Sequence, residues 1–530
     1  MLSLARRRLT KAVHGGLLRS WEGLCFEPLT NIRWYARRDI SSTAPRLAIP
    51  ALAREVNKGS FFSWLLGEKP STNLPPLYEA IPGIQMPPVL PDDVTASTTE
   101  ITTLSNGLKI ASEDIAGPTV TVGLYVDAGS INETPPTAGS AHLLERMAFK
   151  STLNRSHFRL IREAEAIGAN IMASASREQM AYTGDVIKTH MPEIVELLID
   201  SVRNPVFYQW ELKEQVAKVK AELVEIMNNP QSVLIEALHT AGYQGGLAKP
   251  LIASESALAQ TSAESLAYFV QENYTAPRIV LAASGVDHKE LLSVAEPLLS
   301  TLPVSGPHTE EPYQVPVSKY VGGDWRGVAD IPKSHVALAF EVPGGWRNEK
   351  DSISITVLQT LLGGGGSFSA GGPGKGMYSR LYTRVLNKYS EVQSIVAFSS
   401  IYNDTGLFGL HGCSDSEFVP DLVDIFCKEL VETVQGTITE TDLRRAKNST
   451  ISSVLMNLES RAIVTEDIGR QILCYGHRKP VQSFIDQVNS LTIKDIQGVA
   501  EKVLRTPLTM ASWGDVTNVP RYEGIAARFM

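Results

Sequence analysis

The run Ala141-His142-Leu143-Leu144-Glu145-Arg146-Met147-Ala148-Phe149-Lys150 places an imidazole, a carboxylate and a guanidinium within a single helical turn. Residues three and four apart share one face of a helix. In the pattern H-x-x-E-H, two imidazoles so placed hold zinc, and the carboxylate between them acts on the metal-bound water. His142 and Glu145 fit that pattern, but the second imidazole position is Arg146. A guanidinium is permanently charged, has no lone pair to offer and repels a cation. Sites of this kind take another ligand from far downstream, and Glu222, 76 residues past Arg146, is the candidate. On the residues alone, Arg146 is a partner for Glu145 or Glu222 in an ion-pair cluster. The plainer reading of His142–Phe149 is an amphipathic helix.

A second informative stretch runs from Gly363 to Gly376, where eight of fourteen residues are glycine. Ordering so many glycines is entropically costly, which argues for more than a connector, the alternative being a mobile surface linker. It lacks G-x-x-x-x-G-K-[ST] and follows a helix-like segment (352–362) rather than a strand, so it is not a phosphate-binding loop. Its bare backbone can lie over an extended peptide without side-chain clashes. Helical spacing resumes at Tyr378, Leu381, Tyr382, Val385 and Leu386.

Several elements position these groups. Asn106-Gly107 between apolar runs marks a hairpin, and Thr119–Val126 alternates as a strand. Ser140 is placed to cap the helix of His142, and 211–227 is a long helix carrying Glu222. Helices follow at 190–202 and 257–272, and a strand at 278–283. The pattern then recurs after 220–230 residues: 337–342 answers 121–126, 406–412 answers 181–186, and 491–504 answers 261–274. The expected fold is therefore α+β, with two homologous domains, each a β-sheet packed against helices, joined by a linker. The second copy carries no His-x-x-Glu. The boundaries expected are 98–303 for the N-terminal domain, 304–330 for a Pro/Gly-punctuated linker and 331–530 for the C-terminal domain.

The chain has 530 residues and a formal charge of −8, unevenly spread. Residues 1–38 carry eight basic and two acidic groups, leaving the remainder at −14. An acidic body does not suit nucleic acid. The four cysteines form no C-x-x-C pair, which argues against a disulfide scaffold or thiolate zinc. No run reaches the roughly 18 apolar residues of a membrane span. Residues 1–21 are basic, acid-free and amphipathic, as in a mitochondrial transit peptide. That peptide is expected over 1–44, followed by a Pro-rich extension over 45–97.

The segment HLLERMAFKST resembles the inverted-zincin segment of the mitochondrial processing peptidase family, and Glu222 falls where that family has its distal zinc-ligand Glu. Arg at the second His position resembles the family's alpha subunits. GGGGSFSAGGPGKGMYSRL resembles their glycine-rich loop. The likeness extends from about Thr98 to the C-terminus and is nearest the plant type, related to cytochrome bc1 core proteins. It implies a heterodimer in which the beta partner supplies H-x-x-E-H and zinc, and this chain holds no cofactor. Active members carry a second Glu seven residues before the distal ligand; here it is Gln215, which cannot act as a base. The resemblance makes His142, Glu145, Arg146 and Glu222 degenerate zinc-motif positions. It makes Gly363, Gly364, Gly365, Gly366, Ser367, Phe368, Ser369, Gly371, Gly372, Pro373, Gly374, Lys375 and Gly376 the presequence-binding loop. The expected place is the mitochondrial matrix or the matrix side of the inner membrane, with cytochrome bc1 subunits as further partners. The alternatives are a purely structural core protein of respiratory complex III, and an autonomous metallopeptidase that adds His157 or His190 as a ligand.

Overall fold

The structure is a computed structural model that describes residues 98–307, 317–366, 377–436 and 438–529. The expected transit peptide, the Pro-rich extension and the loop segment Ser367–Gly376 lie outside the described residues. Asp92–Met530 folds as one unit.

The first half contributes β1 (Glu100–Thr103), β2 (Lys109–Glu113), β3 (Thr119–Val126), β4 (Asn170–Ala175) and β5 (Met180–Ile187). A short β6 (Tyr243–Gln244) and then β7 (Ile279–Ser284) follow. Its helices are α1 (Ser140–Met147), α2 (His157–Ala166), α3 (Met191–Arg203), α4 (Gln209–Met227), α5 (Pro230–Gly242), α6 (Glu255–Gln260), α7 (Ala263–Asn273) and α8 (His288–Leu299). The second half contributes β8 (Lys319–Tyr320), which pairs with β6, then β9 (Gly323–Val328), β10 (Ser334–Glu341), β11 (Gly364–Gly366), β12 (Val392–Ile401), β13 (Gly406–Ser414) and β14 (Thr509–Gly514). Its helices are α9 (Glu349–Leu362), α10 (Val419–Val434), α11 (Glu440–Asn457), α12 (Arg461–Tyr475), α13 (Val481–Ser490), α14 (Ile493–Leu504) and α15 (Tyr522–Ala526).

Two six-stranded sheets result, ordered β1-β2-β7-β3-β5-β4 and β11-β12-β13-β10-β14-β9. The run β2-β7-β3-β5-β4 of the first matches β9-β14-β10-β13-β12 of the second. Each has one parallel pair, β2 with β7 and β9 with β14, among antiparallel neighbours. The duplication seen in the sequence is thus a duplication of topology. Two strands break the match, β1 at one sheet's edge and β11 at the other's.

Both sheets are apolar on both faces. Val120, Val122, Leu124 and Val126 of β3 face a core shared with α1 and α3. Tyr125 faces the opposite way and packs with Ala111, Val280 and Ala282 against Val464, Ile468 and Ile472 of α12, from the second half. The second sheet mirrors this. Val336, Leu338 and Phe340 of β10 join its own helices, whereas Ala337 and Ala339 face Val233, Leu234, Ala237 and Leu238 of α5, from the first half. Each half lends a helix to the other's sheet. Burying a Val or Ile side chain is worth about 1.5–3 kcal/mol, so each lent helix binds its host strongly.

The contact at Tyr125 is close. Its ring lies over Gly123 of its own strand and Gly469 of α12, and a methyl group at either position would run into it. Thr465 Oγ1 donates to Thr121 O at 3.3 Å beside it. The sheet hairpins also meet. Both carboxylate oxygens of Glu178, in the β4–β5 turn, accept from the Asn403 backbone N–H of the β12–β13 turn at 3.1 Å. Cys474 Sγ donates to Asn403 Oδ1 at 3.1 Å. Burial, with Asp127 and Asp404 adding to it, pushes the Glu178 carboxyl up to about 7, against the Asn403 N–H and Arg347.

Several expectations are corrected. The segment 304–330, expected to be a linker, contains β9: Asp324, Arg326 and Val328 point outward while Trp325 turns inward to stack on Trp513 with centroids 5.9 Å apart. The single helix expected over 257–272 is two, because Ser262 caps a new start by accepting from Ser265 N. The helix expected to resume at Tyr378 is a short π-helix, Tyr382–Leu386.

Gly469→Ala should cost about 1–3 kcal/mol by overpacking, seen as a lower thermal midpoint. Tyr125→Phe should cost close to nothing, since the hydroxyl has no hydrogen-bond partner among the described residues. Glu178 sets a pH dependence. Because its folded pKa is raised from 4.5, its stabilising contribution is full below pH 4.5 and is lost as pH rises through about 7. Gln can keep the acceptor without the charge, so Glu178→Gln should gain stability over the parent at pH 8 and flatten the profile between these limits in denaturant titrations.

Candidate functional site

The degenerate motif sits where α1, α4 and β4 converge. α1 starts at Gly139, whose φ of 80° is left-handed and whose Cβ would lie 2.8 Å from that of Ala253. Ser140 is not the cap that its type implied; it is the first helical residue, and its buried hydroxyl has no partner among the described residues. The helix start is instead held by Glu133, whose carboxylate accepts from Gly139 N at 2.8 Å and Ala141 N at 2.9 Å. Burial pushes that carboxyl up to about 7, opposed by the two N–H groups and by Lys249. Lys249 Nζ in turn donates to Ile131 O at 2.7 Å and Glu133 O at 2.5 Å.

One turn on, His142 is buried at 6% exposure, and its Nδ1 accepts from the Ala253 backbone N–H at 3.2 Å. Burial first, and Arg146 second, lower its pKa to about 4, so the ring is neutral near pH 7. A neutral imidazole that accepts at Nδ1 carries its proton at Nε2. Neither nitrogen then has a lone pair free for a metal. Glu145 Oε2 accepts from Ala175 N of β4 at 3.0 Å. Burial raises its pKa, and Glu222 adds to the rise, while the Ala175 N–H and Arg146 oppose it.

Of the two partners open to Arg146, Glu222 forms an ion pair with it: Nη2 lies 2.9 Å from Oε2, with side-chain exposures of 18% and 36%. The guanidinium therefore lies against the carboxylate that would be the distal ligand. Gln215, about two turns earlier on α4, is buried and its Nε2 has no partner among the described residues. Among the described residues, no three His, Cys, Asp or Glu side chains are grouped to hold a metal ion. The structure brings His142, Glu145, Arg146 and Glu222 together, but as a donor set zinc does not fit it. Glu133 and Ala253 carry no motif signal, since one caps from outside the helix and the other acts through its backbone.

The described part of the glycine-rich stretch lies on the second sheet. Gly363 O accepts from Ala397 N at 2.9 Å, and Gly364 N donates to Ser379 Oγ at 3.1 Å. Gly363 and Gly364 have φ of 60° and 109°, and a Cβ would meet Ser379 at the first and the Ile395 carbonyl at the second. Among the described residues, a Cβ at Gly365 would meet nothing within 4 Å, and at Gly366 only Gln393 O at 4.0 Å.

The purified chain, dialysed against micromolar zinc, should retain far less than one equivalent by elemental analysis. Arg146→Ala should cost only about 0–1 kcal/mol in denaturant unfolding, as for other part-exposed pairs.

Residues 109–255 match the family model Insulinase (Peptidase family M16), and residues 260–450 match Peptidase M16 inactive domain. The chain is 55% identical over 472 residues to the potato (Solanum tuberosum) mitochondrial-processing peptidase subunit alpha, covering 89% of this chain and 92% of that protein. It is 56% identical over 470 residues to a probable alpha-1 subunit of Arabidopsis thaliana, covering 89% and 92%. With the human alpha subunit it shares 33% over 467 residues, covering 85% and 88%. Two solved structures share its fold. One is a chain of Complex III2 from Candida albicans, at TM-score 0.69 and 21% identity, covering 81% of this chain and 99% of that one. The other is a protease from Helicobacter pylori, at TM-score 0.70 and 19% identity, covering 79% and 99%. By these matches the chain belongs to peptidase family M16 and, within it, to the plant-type alpha subunits of mitochondrial processing peptidase.

Proposed function

We propose that this chain is the non-catalytic, substrate-recognition subunit of a heterodimeric mitochondrial processing peptidase. The carrying observation is the Arg146–Glu222 pair, a cation fixed at 2.9 Å where a metal would need two ligands. The beta partner supplies H-x-x-E-H, zinc and the water-activating Glu. This chain binds presequences of imported precursors through its glycine-rich stretch, Gly363–Gly376, and closes one side of the shared site. His142 and Glu145 are held by backbone donors and do no chemistry.

The place of action is the mitochondrial matrix or the matrix face of the inner membrane, with a second role as a core subunit of the cytochrome bc1 complex. The fold shared with a chain of a complex III structure supports that role. No described helix is long and apolar enough to cross a membrane, so membership would rest on partner contacts.

Presequence-peptide cleavage tests the reading in three states, and peptide binding in a fourth. The chain alone should be inactive, and the chain with an H-x-x-E-H-bearing beta partner active. Arg146→His in that pair should change kcat/KM by less than about threefold, under 1 kcal/mol. Gly363–Gly366 are built into the sheet, so the informative deletion is Ser367–Gly376. It should abolish peptide binding while assembly with the partner, followed by size-exclusion chromatography, persists. Cleavage by the chain alone would overturn the non-catalytic assignment, and undiminished peptide binding after the deletion would overturn the role of the loop.

A further inference from the structure

We infer that the open edge of β11 receives an extended segment of the precursor as an added strand, held through main-chain hydrogen bonds. This inference rests on the substrate-binding reading above and specifies how the peptide is held.

Among the described residues, β11 is the terminal strand of its sheet and pairs with β12 alone. Its hydrogen-bond parity follows from one bond. Ala397 N donates to Gly363 O at 2.9 Å. In an antiparallel ladder, inward- and outward-facing residues alternate. Gly365, opposite Ile395, therefore turns its N–H and C=O to β12, and Gly364 and Gly366 turn theirs away. Ser379 Oγ takes the Gly364 N–H at 3.1 Å. The Gly364 carbonyl and the Gly366 N–H and carbonyl remain on the open edge. They have the spacing that a neighbouring strand uses.

Natural edges are blunted by charged side chains, proline, bulges or a covering element. Gly364–Gly366 carry no charge and no proline. The glycines also divide by cause. Those at 363 and 364 are required by positive φ and by contact with Ser379 and Ile395. Those at 365 and 366 have room for a side chain, so the fold does not require them. A bare backbone there leaves the edge open to another chain. A strand without side chains cannot form pockets for particular residues, so its partner is read by its backbone, and side-chain identity matters little. Tyr378, beside the anchoring Ser379, is 75% exposed, with the Arg445 guanidinium over its ring at 5.2 Å from the centroid. Glu391, exposed just before β12, lies three residues before Ser394, the partner of Gly366. Its carboxylate suits a peptide that carries basic residues.

Two substitutions separate the outward N–H from mere bulk. Gly366→Ala keeps the donor and adds a methyl with room to stand. Gly366→Pro removes the donor without touching the ladder to β12, a position where edge strands accept proline. With the assembled heterodimer and a fluorescently labelled presequence peptide, Gly366→Ala should bind within about twofold of the parent and Gly366→Pro about fivefold or more weaker, the loss of one hydrogen bond. Peptides N-methylated at single backbone positions should lose affinity at alternate residues across the bound stretch. If Gly366→Pro binds like Gly366→Ala and the methyl scan shows no alternation, strand addition is wrong. In that event, loss of binding on deleting Ser367–Gly376 leaves the loop reading standing, and unchanged binding removes both. Should Gly366→Pro fail to fold, judged by its thermal midpoint, the methyl scan on the unmodified heterodimer decides alone.

Discussion

A sheet that is apolar on both faces has to be covered twice, and neither half of this protein has the helices to do so alone. The first sheet's second face is closed by α12 and the second sheet's by α5. This exchange governs the rest of the structure. α4, which carries Glu222, runs almost directly into α5, with Asn229 capping the new helix by accepting from Gln231 N and Ser232 N. Because α5 is fastened to the second sheet, the end of α4 is fixed between the two halves. α11 runs into α12 in the same way, three residues apart. The helix that carries Glu222 is thus positioned in part by packing remote from the motif.

What holds the motif now is ordinary polar bookkeeping. Three of its buried groups have found backbone partners: Glu133 the start of α1, His142 the Ala253 N–H, Glu145 the Ala175 N–H. Arg146 and Glu222 meet at a part-exposed position, where such a pair contributes about 0–1 kcal/mol. The pair matters less for stability than for what it excludes. A guanidinium against the distal carboxylate raises the electrostatic cost of a divalent cation there, and the His142 tautomer removes a second donor. The two effects are independent, so restoring one residue does not restore the site.

Much of this was legible in the sequence because it was local. The i, i+3, i+4 spacing of His142, Glu145 and Arg146 put them on one face, and the Asn106-Gly107 hairpin and the alternation of β3 read directly. The repeat was visible in strand–helix order. The helix exchange was not, because periodicity shows that a helix has an apolar face but not which sheet receives it. β9 was hidden because glycines at 322, 323 and 327 read as punctuation, although Asp324-Trp325-Arg326 alternates like an edge strand. Ser140 looked like a cap by type, yet Glu133, seven residues earlier, reaches the helix start through the fold. Composition also counted eight glycines as one feature, whereas local geometry separates those at 363 and 364 from those at 365 and 366.

That separation bears on how the two halves divide their work. In the first half the departures from the metal-binding pattern, Arg146 and Gln215, lie on elements that remain packed, so the architecture is kept although the donor set does not suit zinc. In the second half the departure is an addition: β11 lies outside the strand order common to both sheets. Strand for strand, the first sheet ends at β4, and the second continues one strand past the equivalent β12. β1 likewise extends the first sheet past β2, but β11 is all glycine and buries no side chain, so it adds little to stability and exposes unpaired backbone. The extension sits at the root of the glycine-rich stretch. On the proposed reading, the altered motif of the first half and the bare edge of the second belong to one division of labour, a subunit that holds a peptide for its partner to cut.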